Sequence, residues 1–173
     1  MSVDEPDQTA QRRALPRLVV VLPLEPLELG AAHPLKTWPR HVTAAPTFVI
    51  DAELSTVVEA IGPSLAQQRR LHLRAGEDAG FGDSGNIPVS LVEPSAALID
   101  LHRRLVALLR ASGATFDKPH FTGAGFNPHV TMTRIARSSL GNPLDLRQAT
   151  IVDMEPRGAD RLRRVVWTAE FLD

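Results

Sequence analysis

The apolar positions of this chain fall into short runs with two different spacings. Arg17-Leu18-Val19-Val20-Val21-Leu22 is a continuous, β-branched run and predicts a buried strand. His41 to Ile50 is rich in Val, Thr and Phe and predicts another, with Pro46 marking an edge or a bulge. Arg69 to Arg74 and Ile87 to Val92 predict two more. Between them, Gly76 to Asn86 reads as a loop or a wide hairpin end, because glycine recurs there. Pro128 to Ile135, Ala149 to Met154 and Leu162 to Phe171 are extended, the last two joined by a turn at Arg157-Gly158. Two segments instead repeat at helical spacing. Ala52 to Leu65 carries Leu54, Val57, Val58 and Ile61 behind Asp51 as N-cap. Pro94 to Ser112 carries Leu98, Leu101, Leu105 and Leu108 and stops at Gly113. Residues 114 to 127 predict a Gly-, Phe- and Pro-rich loop. Strands outnumbering two helices predict an α+β fold.

Composition narrows this picture only a little. The 173 residues fit one domain, with residues 1 to 15 read as a disordered polar tail and 16 to 173 as the folded unit. A 43% hydrophobic content supplies a core without staples. The absence of cysteine excludes a disulfide framework, a thiolate nucleophile and a Cys-type zinc site, and fits a reducing compartment. A net charge of −1 argues against a binder of duplex DNA or bulk polynucleotide, which would carry a large basic surface. A local basic pocket for a small anion remains open. No apolar run reaches the length of a membrane span, and the first residues lack an apolar signal core. The expectation is a cytoplasmic, monomeric protein without a membrane partner.

The chemistry lies in a string that occurs twice. His41-Val42-Thr43 and His129-Val130-Thr131 stand 88 positions apart, each in a strand-like context. Composition alone would produce about 0.4 His-x-Thr strings in such a chain, so two identical ones are informative. Residues i and i+2 of a strand share a face. Each string therefore projects an imidazole, which exchanges protons near neutral pH, and a hydroxyl, which donates to a phosphate oxygen. If both strands border one cleft, a neutral imidazole can activate the attacking oxygen while a protonated one protonates the leaving oxygen. The hydroxyls would hold the remaining oxygens, and no metal or cofactor is needed. His-Glu-x-x-His is absent, as is the Gly-Lys-Ser/Thr ending that Gly80-Phe81-Gly82-Asp83-Ser84-Gly85 would need to be a P-loop.

Pro128-His129-Val130-Thr131-Met132-Thr133-Arg134 resembles the second motif of the two-histidine (2H) phosphoesterase superfamily. Arg40-His41-Val42-Thr43-Ala44-Ala45-Pro46-Thr47-Phe48 resembles the first. The superfamily includes bacterial 2′-5′ RNA ligases and cyclic nucleotide phosphodiesterases. The resemblance implies two pseudo-symmetric lobes, with antiparallel sheets facing a central cleft and helices outside. It implies hydrolysis or ligation of a phosphodiester, at a 2′,3′-cyclic phosphate or a 2′-5′ linkage, on a small nucleotide or RNA end. It makes His41 and His129 the catalytic pair and Thr43 and Thr131 the phosphate binders. Arg134 is a possible substrate contact near the phosphate, or equally a surface or fold-supporting cation. With tyrosine absent, a base-stacking contact would come from Phe48, Phe121, Phe126, Trp38 or a similar residue. Ala44-Ala45 replace bulkier residues usual in that motif, which would widen the pocket or loosen the strand.

A rival reading is a binding module that captures a nucleotide or RNA end without turning it over. Lys118 and His120 lie close enough in sequence to reach the cleft rim, although solvated loop positions suit them as well. His72 reads as structural, and His102 as a solvated residue on the polar side of its helix. His33 falls in a Pro-rich loop. The Arg161, Arg163, Arg164 run reads as a solvated strand face.

Overall fold

The computed structural model describes residues 15–133, 137–159 and 161–173. The expected tail lies, except for Leu15, outside the described residues, and so does Arg134. The chain begins with strands β1 (Arg17–Pro23), β2 (Ala32–Pro34) and β3 (His41–Val49), then helix α1 (Leu54–Ala66). Next come β4 (Leu71–Phe81), β5 (Ile87–Val92), helix α2 (Ala96–Ala111) and the short β6 (Thr115–Phe116). It closes through β7 (His129–Thr131), β8 (Pro143–Leu146), β9 (Gln148–Asp153) and β10 (Leu162–Glu170).

All these strands join one curled antiparallel sheet in the order β2-β10-β9-β1-β3-β7-β5-β4-β8, with β6 beside the far end of β3. The fold is α+β. Its two halves meet where Val42 of β3 lies opposite Val130 of β7, both fully buried. Helices α1 and α2 cover the face to which these valines point, through Val57, Ile61, Leu65, Leu98, Leu101, Leu105 and Leu109. The continuous apolar run of β1 follows from burial on both faces. Leu18, Val20 and Leu22 enter the helix-side core, while Val19 and Val21 pack on the other face with Val152, Trp38 and Met154.

Local irregularities shape the site. The register of β3 against β1 slips twice, between Leu18 and Val20 and between Val20 and Val21, so β3 bulges near Pro46. Ala44 and Ala45 are fully buried among core residues. They therefore do not widen the cleft, contrary to expectation. Phe48 is also corrected. It is fully buried, its ring 5.8 Å from that of Phe116, and it is not available to a substrate.

Of the two readings of Gly76 to Asn86, the hairpin end holds and the loop does not: Gly76 to Phe81 continues β4, which pairs with β5. Glycine is needed there for close approach: a Cβ on Gly80 would stand 2.2 Å from the Gly85 carbonyl oxygen. The hairpin proper turns at Gly82 and Gly85, both at positive φ. Helix α1 starts behind Glu53 rather than Asp51. Helix α2 is capped by the Ser95 hydroxyl, which accepts from the Leu98 N–H at 3.3 Å.

Candidate functional site

Val42 opposite Val130 fixes everything around it. Because β3 and β7 are antiparallel, His41 stands across from Thr131 and Thr43 across from His129. The valines point into the core, so these four side chains share the other face. Directly opposite residues have Cβ atoms roughly 4.5–5.5 Å apart, and diagonal ones roughly 7–8 Å. The two imidazoles thus lie on one diagonal and the two hydroxyls on the other. All four line a single cavity of about 810 Å³. Phe48 is not among its walls, and Arg134 lies outside the described residues.

Both rings are held in the same way. Nδ1 of His41 is 2.8 Å from the Pro39 carbonyl oxygen, and Nδ1 of His129 is 2.8 Å from that of Asn127. Each partner is the residue two places earlier. A carbonyl oxygen only accepts, so each Nδ1 carries a proton and donates. This leaves Nε2 as the nitrogen that gains or loses a proton at the cavity. Burial pushes the His41 imidazole below its ordinary value; the Pro39 carbonyl opposes this, and a charge on His129 pushes the same way. Burial also lowers His129, against the Asn127 carbonyl. The like-charge effect makes the two rings an interacting pair, in which one proton disfavours the second.

Aromatic side chains flank both histidines. Trp38 lies 5.6 Å from the His41 ring and Phe81 lies 4.3 Å from the His129 ring, and both line the cavity. Sequence reasoning missed Phe81 as a neighbour of His129, because β4 seemed to end earlier. Of the charged walls, Arg17 is engaged: it binds Asp117 and Glu155, which raise its pKa and tie β1 to the ends of β6 and β9. Lys118 lies on the wall beside Phe121, its ammonium 5.7 Å from the ring centroid. His120 packs on Phe121 and does not line the cavity.

His102 corrects its expected placement outright. It is fully buried rather than solvated. Its Nδ1 donates to the Ala44 carbonyl at 2.8 Å, and its Nε2 accepts from the Gly123 N–H at 3.0 Å. Its ring stacks on Phe126 at 3.7 Å, nearly parallel. Burial lowers its pKa, the Ala44 carbonyl opposes this, and Arg103 and Arg110 add to the lowering. From α2 this one ring grips the residue after Thr43 and the loop that leads to Asn127. Among the others, His72 is exposed on β4, and its Nδ1 lies 3.1 Å from Asp145, its partner on β8. His33 packs edge-on against Trp38 at 5.5 Å. Arg163 and Arg164 are partly buried on β10, away from the cavity walls.

A family model described as the 2′-5′ RNA ligase superfamily matches residues 16–167. The crystal structure of E. coli LigT in apo form superposes with a TM-score of 0.58, at 17% identity, covering 92% of this chain and 100% of that one. LigT complexed with 3′-AMP gives 0.59 at 16% identity, covering 92% and 99%. TT0787 of Thermus thermophilus gives 0.58 at 13% identity, covering 90% and 97%. At these identities the structures speak for the fold. No curated protein is significantly similar in sequence. Among the described residues no helix is long and apolar enough to cross a membrane.

Proposed function

The chain belongs to the 2′-5′ RNA ligase superfamily, and from that premise we propose that it is a phosphoesterase whose His41 and His129 act as a general acid–base pair on one phosphodiester. The substrate is a small nucleotide or an RNA end, carrying a 2′,3′-cyclic phosphate or a 2′-5′ linkage. A nucleotide ligand is also in keeping with LigT, a structural neighbour crystallised with 3′-AMP and with ATP.

One observation carries this reading: two imidazoles, each pinned at Nδ1 by a backbone carbonyl, border the same cavity on a diagonal. A phosphorus atom between them meets one Nε2 on each side. The neutral ring takes the proton of the attacking water or ribose hydroxyl at its Nε2. The charged ring gives its Nε2 proton to the departing oxygen. Afterwards the two rings have exchanged protonation states, and solvent restores them. Water as attacker gives hydrolysis; a ribose hydroxyl gives a new linkage. Thr43 and Thr131, on the other diagonal, donate to the two non-bridging oxygens as negative charge gathers there.

The charge state fits a monoanion. Both free histidines resist protonation, and the phosphodiester's negative charge stabilises one proton on the pair. Of the cations among the described wall residues, Arg17 is neutralised by its two carboxylates, leaving Lys118 to draw the substrate in.

The test is a turnover assay on 2′,3′-cyclic mononucleotides and 2′-5′-linked dinucleotides. His41→Ala and His129→Ala should each lower kcat by roughly 10²–10⁴-fold, the worth of a positioned acid or base. Tight binding by the unaltered protein with no turnover at any pH would favour a capture module instead. Either variant retaining full activity would sink the acid–base assignment.

A further inference from the structure

The cavity is longer than the phosphate site. Along β3 its wall runs from His41 through Thr43 to Thr47, and the Asp117 N–H donates to the Thr47 carbonyl at 2.9 Å. At roughly 3.3 Å per residue, the stretch from Thr43 to Thr47 covers at most roughly 13 Å. Two adjacent residues of opposite charge, Asp117 and Lys118, line the cavity at that end. Asp117 is fixed in place: Nε and Nη2 of Arg17 both bind its Oδ2, and Arg17 is itself anchored to Glu155. Oδ1 takes no bond from the described residues, so it keeps its full capacity to accept. The Lys118 ammonium, beside the Phe121 ring, can only donate.

A fixed carboxylate repels a phosphate, so its place on this wall calls for a partner with N–H groups. The base of a nucleotide whose phosphate lies between His41 and His129 supplies one. Across the ribose and two fused rings, the far edge of a purine reaches such a distance; a pyrimidine stops one ring short. Guanine presents its O6 acceptor beside the N1–H and N2–H donors, which answer Lys118 and Asp117 respectively. In the same pose adenine turns its amine on Lys118 and an unprotonated N1 on the carboxylate, so donor faces donor and acceptor faces acceptor. We infer that Asp117 and Lys118 read the base, and that the substrate is a guanine nucleotide. This rests on the phosphoesterase reading of the same cavity and names the base it prefers.

The experiment measures kcat/KM of the intact protein on the 2′,3′-cyclic phosphates of guanosine, inosine, adenosine and cytidine, and of Asp117→Asn on those of guanosine and adenosine. Inosine keeps O6 and N1–H and lacks only the N2 amine, so it tests the carboxylate without altering the protein. The guanosine compound should exceed the inosine one by roughly tenfold, the scale of one hydrogen bond to a charged group, and the other two by more. The differences should lie in KM, because the base is remote from the reacting phosphorus. Asp117→Asn should cut the guanosine-to-adenosine ratio by roughly tenfold. A guanosine compound no better than the adenosine one, an inosine compound equal to it, or a ratio that survives the substitution overturns the assignment. If the intact protein turns over none of the four, the catalytic reading fails instead. Equilibrium binding of guanosine and adenosine 3′-phosphates then decides the base contact, and equal affinities overturn it.

Discussion

Replacing His102 by Phe keeps the ring and its stack on Phe126 but removes both nitrogens. The buried Ala44 carbonyl, bonded at 2.8 Å, loses its partner, and so does the N–H of the exposed Gly123, bonded at 3.0 Å. An unpaired buried group costs roughly 1–3 kcal/mol, so the variant should lose about that much. For a chain of this size each kcal/mol moves Tm by roughly 2–4 °C, so thermal unfolding should begin several degrees lower. The loss should depend on pH in a definite direction. The folded His102 has a pKa below the ordinary 6.5, so the unfolded chain binds the extra proton first. Its contribution is complete above that value and declines as pH falls below it. The gap between wild type and His102→Phe should therefore narrow from about pH 8 to about pH 5. A third readout separates positioning from mere stability. The loop that His102 grips leads to Asn127, whose carbonyl orients His129. Well below its Tm, the variant should therefore lose roughly ten- to a hundredfold in kcat, the scale of a small misplacement. His102→Asn, which restores the donor to Ala44, should recover part of both losses. Calorimetry across pH, with kcat measured on folded protein, decides the matter. An unchanged Tm, or a gap that does not move with pH, would refute this account of the ring.

Further outcomes follow from the same geometry. The pH profile of kcat/KM should be bell-shaped, because one ring must be neutral and the other charged. Both pKa values are lowered in the free protein, so the maximum should fall below the ordinary histidine value of 6.5; a maximum well above it contradicts the desolvated pair. Gly80→Ala would place a Cβ 2.2 Å from the Gly85 carbonyl oxygen and force the β4–β5 hairpin apart. Since that hairpin carries Phe81 to His129, the variant should lose roughly 1–3 kcal/mol, as overpacking does, and should raise KM. Urea unfolding and steady-state kinetics would check both effects, and unchanged values in both would remove the hairpin from the site.

Much of this was legible in the sequence, for physical reasons. Strand alternation put His41 with Thr43 and His129 with Thr131, and each pair does share a face. What alternation cannot supply is which distant strand lies beside β3. The Val42–Val130 pairing is long-range, and only the folded sheet sets one diagonal for the rings and the other for the hydroxyls. Two misreadings came from weighing residue type above position. His102 follows Leu98 by four and precedes Leu105 by three, so helical period puts it on the buried face; its polarity suggested solvent. Phe48 shares the parity of Val42, and even with the bulge it enters the core. The glycines of β4 were read as punctuation because sequence does not distinguish a turn glycine from one that admits a neighbouring backbone.

The central claim is that two ring nitrogens from distant strands serve a single phosphorus atom. A crystal structure with an uncleavable phosphodiester analogue tests it most directly. The account predicts one phosphoryl group with Nε2 of His41 and Nε2 of His129 on opposite sides, and the Thr43 and Thr131 hydroxyls on its non-bridging oxygens. A phosphoryl group touched by only one of the rings, or lodged away from both, would contradict it.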